Sequence, residues 1–108
     1  MNVIWLRIAA EHLEEIYEFL LKNNARAAAD LYNDILDETE KLSGFPQIAS
    51  LEQYLAEEPE MFRSLVIRRQ YKVVYFIEDE VIKIADVWDC RQNPAKMRRG
   101  LLKKKSRK

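Results

Sequence analysis

The 108-residue sequence is poor in the residues that build most small reactive centres: one cysteine, one histidine, two glycines and three prolines. With Cys90 as the lone cysteine no intramolecular disulfide can form, and a reducing, cytoplasmic setting is the simple expectation. His12 and Cys90 are too few for a metal-ligand box or a Cys–His nucleophile, so neither a metal nor a cofactor is expected. His12 falls at the edge of a helical apolar stripe and reads as a boundary residue. Cys90 reads as a small strand-end residue, although Arg91 beside it would favour a thiolate. Two glycines exclude a glycine-rich phosphate loop. No apolar run is long enough to span a bilayer and no signal-peptide pattern opens the chain, so no membrane partner is expected.

What is present is a globular composition, 48% hydrophobic and 33% charged, at a length that makes one domain with one core. The formal net charge of zero hides a split. Residues 96–108, KMRRGLLKKKSRK, carry eight of the 18 Lys and Arg and no acid, which leaves ten basic and eighteen acidic side chains, a net of −8, in the rest. Such an asymmetry speaks about partners rather than fold. Lys96, Arg98, Arg99, Lys103, Lys104 and Lys105 are therefore candidate contacts for RNA, DNA or an acidic protein segment. The plainer reading is a solvated terminus.

Along the chain, a strand is expected at 3–8 and a helix at 9–21, with Leu13, Ile16, Tyr17, Leu20 and Leu21 on one face. Asn23 and Asn24 end that helix and offer an N-cap to the next. The second helix, 25–42, turns Ala28, Leu31, Tyr32, Ile35, Leu36 and Leu42 inward. Gly44 is the expected residue just past its end and Pro46 prevents continuation. Between 47 and 61, Leu51, Tyr54 and Leu55 fit one or two helical turns before Pro59. Then come three Val-, Ile- and Tyr-rich runs, 62–68, 71–77 and 81–88. Their gaps, Arg69-Gln70 and Glu78-Asp79-Glu80, permit only hairpins. Trp5, Tyr71, Tyr75, Phe76 and Trp88 interleave with Val and Ile at strand spacing, which reads as packing rather than base stacking. Pro94 suits the first turn of a short helix beginning near Asn93. The resulting class is α+β, in the order β-α-α-β-β-β, with a helical hairpin on a four-stranded, mainly antiparallel sheet.

Arg63, Lys72 and Arg91 lie at or near strand positions, where backbone geometry holds a side chain rigidly. They are the candidates for gripping a phosphate or another target. The plainer reading is that they are solvated charges that keep sheet edges from pairing.

An arginine-led strand, Tyr-Lys-Val-Val-Tyr at 71–75, an acidic turn, Ile-x-Ile-x-x-Val at 82–87 and the Arg-Gln-x-Pro ending at 91–94 resemble the RelE/ParE superfamily of bacterial toxins. The order of strand and helices before them resembles it too, so the likeness covers roughly residues 2–97, followed by a basic tail at 98–108. The resemblance implies the toxin of a type II toxin–antitoxin module, bound by a cognate antitoxin and forming a hetero-oligomer with it. It leaves three activities open. In the ribosome-dependent RelE branch, lysines, arginines and a C-terminal tyrosine cleave mRNA. Arg63, Lys72 and Arg91 match basic positions of that branch, but Leu65 stands where it has a second lysine. Asp89 stands where relatives often carry histidine, and no tyrosine follows Arg91. The ending Val87–Pro94 is closer to the ParE branch, which implies inhibition of DNA gyrase by binding. The third is a non-toxic relative acting as a protein-interaction or DNA-bound regulatory module.

Overall fold

The computed structural model describes residues 1–92. The chain runs through strand β1 (Asn2–Trp5), helix α1 (Arg7–Leu21), helix α2 (Ala25–Lys41), a two-residue strand β2 (Ser50–Leu51) and a 3-10 turn (Gln53–Leu55). Strands β3 (Arg63–Ile67), β4 (Tyr71–Glu78) and β5 (Val81–Asp89) follow. The sheet has five strands in the order β1-β5-β4-β3-β2. All neighbours are antiparallel except β1 and β5, which run parallel. The α+β class and the element order match the sequence reading. The strand count does not, because β2 is too short to leave a periodic signal and exists only through its pairing with β3.

Element boundaries differ as well, most at the start of the chain. The first strand ends at Trp5 and α1 begins at Arg7, rather than at 8 and 9. Leu6 donates its N–H to Ile84 O as the last rung of the ladder, and its own carbonyl already accepts the first helical bond, from Ala10. The period-two pattern of Val3 and Trp5 therefore gives way one turn early to the stripe that starts at Ala9. Gly44 does not take a left-handed φ. Helix α2 instead unwinds through Gly44 N–H to Lys41 O and Phe45 N–H to Leu42 O, tightened turns that need no glycine. Asn24 does cap α2 as expected, accepting from Ala27 N–H at 3.1 Å.

Both helices cover one face of the sheet. Ala9 and Leu13 of α1 and Leu31 and Ile35 of α2 pack on Tyr71, Val73 and Tyr75 of β4 and on Ile82, Ile84 and Val87 of β5. Each buried Leu or Ile contributes about 1.5–3 kcal/mol, so neither helix is stable without the sheet beneath it. Alternate β4 residues face the other way. Val74 and Phe76 join Leu55, Phe62, Ala85 and Trp88 in a smaller cluster under the 3-10 turn. Between Tyr75↔Ile84 and Val74↔Asp86 the register slips, leaving Ala85 as the extra residue of a bulge. Bulges re-aim neighbouring side chains. Here the adjacent Asp86 meets α1.

Candidate functional site

Lys72 stands near the start of β4, opposite Val66 on β3 and Trp88 on β5. It is not a free cation. Its Nζ lies 2.7 Å from Oε1 of Glu52, whose side chain is 1% exposed. Ser64 Oγ donates to the same oxygen at 2.7 Å, and Tyr54 N–H donates to Oε2 at 3.0 Å. Burial alone raises the Glu52 carboxyl, but the bonds from Lys72, Tyr54 and Ser64 and the Lys72 charge outweigh it and hold it below its ordinary value. The ammonium also stands 5.8 Å from the centre of the Tyr54 ring. The helical turns expected near Leu51 and Tyr54 are thus a strand and a 3-10 turn, which carry Glu52 between them.

Arg91 lies just beyond β5, on the helix side, with 65% of its side chain exposed. Its Nε stands 3.0 Å from Asp89 Oδ1 and its Nη2 2.7 Å from Oδ2, a two-point pair, and its N–H donates to Oδ1 at 2.9 Å. Hydrogen bonds from Arg91 are the largest influence on the Asp89 carboxyl and hold it below its ordinary range. With the Gln70 amide oxygen turned inward, it also accepts from Nη1 at 3.2 Å and Nη2 at 3.1 Å. A cleft of about 440 Å³ beside this pair is walled by His12, Ile16 and Phe19 of α1 and by Tyr71.

Arg63 opens β3 and is turned to backbone. Its Nη1 donates to Ala49 O at 2.7 Å and Gln47 O at 3.4 Å. The structure does not bring the three cations together. Lys72 faces away from the helices, while Arg63 pairs in register with Tyr75 and Asp89, beside Arg91, with Tyr71. Four residue steps of β4 separate those two positions, about 13 Å along the strand. Lys96, Arg98, Arg99, Lys103, Lys104 and Lys105 lie outside the described residues, as do the short helix expected from Asn93 and the domain boundary at 97.

Two carboxylates escaped the sequence reading. Besides Glu52, Asp86 is buried at 3% exposure. It accepts from Val87 N–H at 2.8 Å, and its Oδ1 stands 2.5 Å from His12 Nδ1. An acid inside an apolar run, as in Ile84-Ala85-Asp86-Val87-Trp88, was the available signal, because buried carboxylates need partners. His12 is a boundary residue, as expected, but it is a paired one. Cys90 is exposed. Partial burial outweighs the Lys72 charge and holds its thiol above its ordinary value, so Cys90 is a poor nucleophile.

Among the described residues no cluster of His, Cys, Asp and Glu could hold a metal ion, and no helix is long and apolar enough to cross a membrane. The architecture and these dispersed, internally paired charges define a small two-layer α+β domain with polar sites on both faces of its sheet. The chain belongs to the ParE toxin family: the family model for the ParE toxin of the type II toxin–antitoxin system, parDE, matches residues 3–94. The fold agrees. A solved chain from the chromosomal ParDE TA system of P. aeruginosa superposes with a TM-score of 0.68 at 23% identity, covering 82% of this chain and 95% of that one. Comparison with curated proteins finds no match.

Proposed function

We propose that this chain is the toxin of a type II toxin–antitoxin pair, that it arrests growth by binding an essential target such as DNA gyrase, and that a cognate antitoxin neutralises it. Family membership supports the toxin role. The choice of binding over mRNA cleavage rests on one observation: the cations expected on the sheet do not converge, with Lys72 paired to Glu52 on one face and Arg91, beside Asp89, and Arg63, on backbone carbonyls, at separate positions on the other. Cleavage at a 2′-hydroxyl needs a base, an acid and cations aimed at one phosphate. Glu52, held ionised by three donors, is a weak base. His12 is engaged with Asp86 at the helix side of the sheet, away from Lys72.

Induced expression of the chain, with and without the protein encoded beside it, tests the reading. Growth arrest relieved by the neighbour, inhibited gyrase supercoiling and intact transcripts are expected. Ribosome-dependent cleavage of mRNA would replace the proposal with the RelE-type activity, and no arrest would leave an interaction module. Arg91 is the residue placed at the target contact, since its exposed fork can exchange Asp89 for a carboxylate or phosphate of the target. Arg91→Ala is expected to abolish arrest at an unchanged melting temperature, and Arg91→Lys to restore it in part. A folded Arg91→Ala chain with full toxicity would move the contact elsewhere.

A further inference from the structure

Helix α1 meets the sheet through apolar side chains, Ala9 and Leu13 among them, and it has no side-chain N-cap and no acid in its first turn. A polar tie also joins it to β5. His12 Nδ1 stands 2.5 Å from Asp86 Oδ1, between residues 74 apart in sequence. The bulge at Ala85 sets Asp86 against the helix. The two partners differ in their access to water: the Asp86 side chain is 4% exposed and that of His12 35%. A carboxylate buried this deeply is costly without a cation beside it. A partly exposed imidazole exchanges its proton with solvent, and histidine is the side chain that does so near neutrality.

The charges around His12 favour its cationic form. On its own helix, Glu15 walls the same cleft, and Glu11, the preceding residue, is bonded to Arg7. From β5 come Asp86 and, in that cleft, Asp89; the opposing cation, Arg91, is itself paired with Asp89. Tyr71, from β4, is uncharged near neutrality, since burial pushes its hydroxyl further up. We infer that His12 and Asp86 form a proton-operated clasp: protonated, His12 fastens α1 to β5 as an ion pair, and deprotonated it loosens the helix along the cleft that holds Arg91. A neutral imidazole still donates from Nδ1, so the helix stays seated, less firmly. A carboxylate at hydrogen-bond distance raises the folded pKa of a histidine above its unfolded value of about 6.5. The clasp is therefore complete below that value and is lost as pH rises through the folded one, the opposite direction to Glu52. The inference concerns the free chain and is independent of growth arrest and of the target.

His12 is the single histidine, so its ring signals are unambiguous in the full-length, untagged, isotope-labelled chain. A pH titration followed by NMR is expected to place the His12 midpoint about one pH unit or more above that of the same chain unfolded in urea. The amides of Ile16 and Phe19 on α1 and of Arg91 across the cleft are expected to shift with that midpoint. The melting temperature of the parent is expected to fall between about pH 6 and pH 8, and His12→Gln to remove that fall. Asp86→Asn keeps an acceptor for Val87 N–H and is expected to bring the His12 midpoint back to the urea value, whereas Glu15→Gln lowers it only slightly. A folded-state midpoint at or below the urea value would overturn the inference, because burial would then outweigh the partner. So would a raised midpoint that the α1 amides do not follow, one that Glu15→Gln abolishes, or a fall in melting temperature that His12→Gln leaves intact. Should Asp86→Asn fail to fold, the titration of the parent and the His12→Gln profile decide.

Discussion

At Glu52, burial and pairing act in opposite directions. Burial favours the neutral acid, yet Lys72, Tyr54 and Ser64 together keep the carboxylate ionised. Because the folded pKa is depressed, the contribution of Glu52 to stability is complete above its unfolded value and is lost as pH falls through the folded one. Glu52→Gln is expected to lower stability at neutral pH and to flatten the acid limb of the stability profile. Lys72→Met leaves a buried carboxylate without its counter-ion, a loss of about 3 kcal/mol, whereas adding Glu52→Gln to it recovers part of that loss. Urea unfolding of the three variants measures the cycle. A Lys72→Met chain as stable as the parent would show the pair to be dispensable. The same cycle separates roles at Lys72, since a toxicity defect that the double variant rescues with folding is structural.

At the scale of elements, the hairpins carry a cost that their sequences do not relieve. Arg68 and Arg69 in the β3–β4 turn, and Asp79 and Glu80 in the β4–β5 turn, all have φ between 53° and 62°. This left-handed pair is the geometry that matches strand twist in tight hairpins, and it favours Asn-Gly or Asp-Gly. A side chain there costs about 1–2 kcal/mol. In the first turn Arg68 Nε donates to Asp34 of α2 at 2.7 Å, which ties the hairpin to the helix layer. In the second turn Asp79 already stands at the first position. Glu80→Gly completes Asp-Gly and is expected to raise stability by about 1 kcal/mol without altering the register Glu78↔Val81. Thermal unfolding measures it, and a lower melting temperature would mean that the Glu80 side chain makes a compensating contact.

At the scale of the whole molecule, an acidic body is joined to a basic tail. We propose that the cations at 96–108 help to meet a polyanion or an acidic antitoxin segment, since the rest of the sequence carries a net charge of −8. Replacing Lys96, Arg98, Arg99, Lys103, Lys104 and Lys105 by Gln is expected to weaken binding to the target or antitoxin and to reduce its salt dependence. The melting temperature should stay the same. Affinity unchanged at low salt would show that these charges make no contact.

The hairpin gaps, the stripes of α1 and α2 and the resemblance of roughly 2–97 to the RelE/ParE superfamily were legible in the chain, because period, turn length and capping are local. So was the packing role of Tyr75, since a large aromatic between valines has nowhere drier to go. The five-stranded count was not legible, because β2 gains its identity from pairing with β3 and not from its own two residues. The parallel join of β1 to β5 likewise depends on the path of the helical hairpin. The fate of the cations lay furthest from the sequence. Arg63, Lys72 and Arg91 look alike as positions on strands, yet each acquires a different partner: carbonyls, a buried glutamate and an aspartate two residues away. Residue type and spacing determine which face a side chain takes, whereas only the tertiary structure decides which opposite charge waits there.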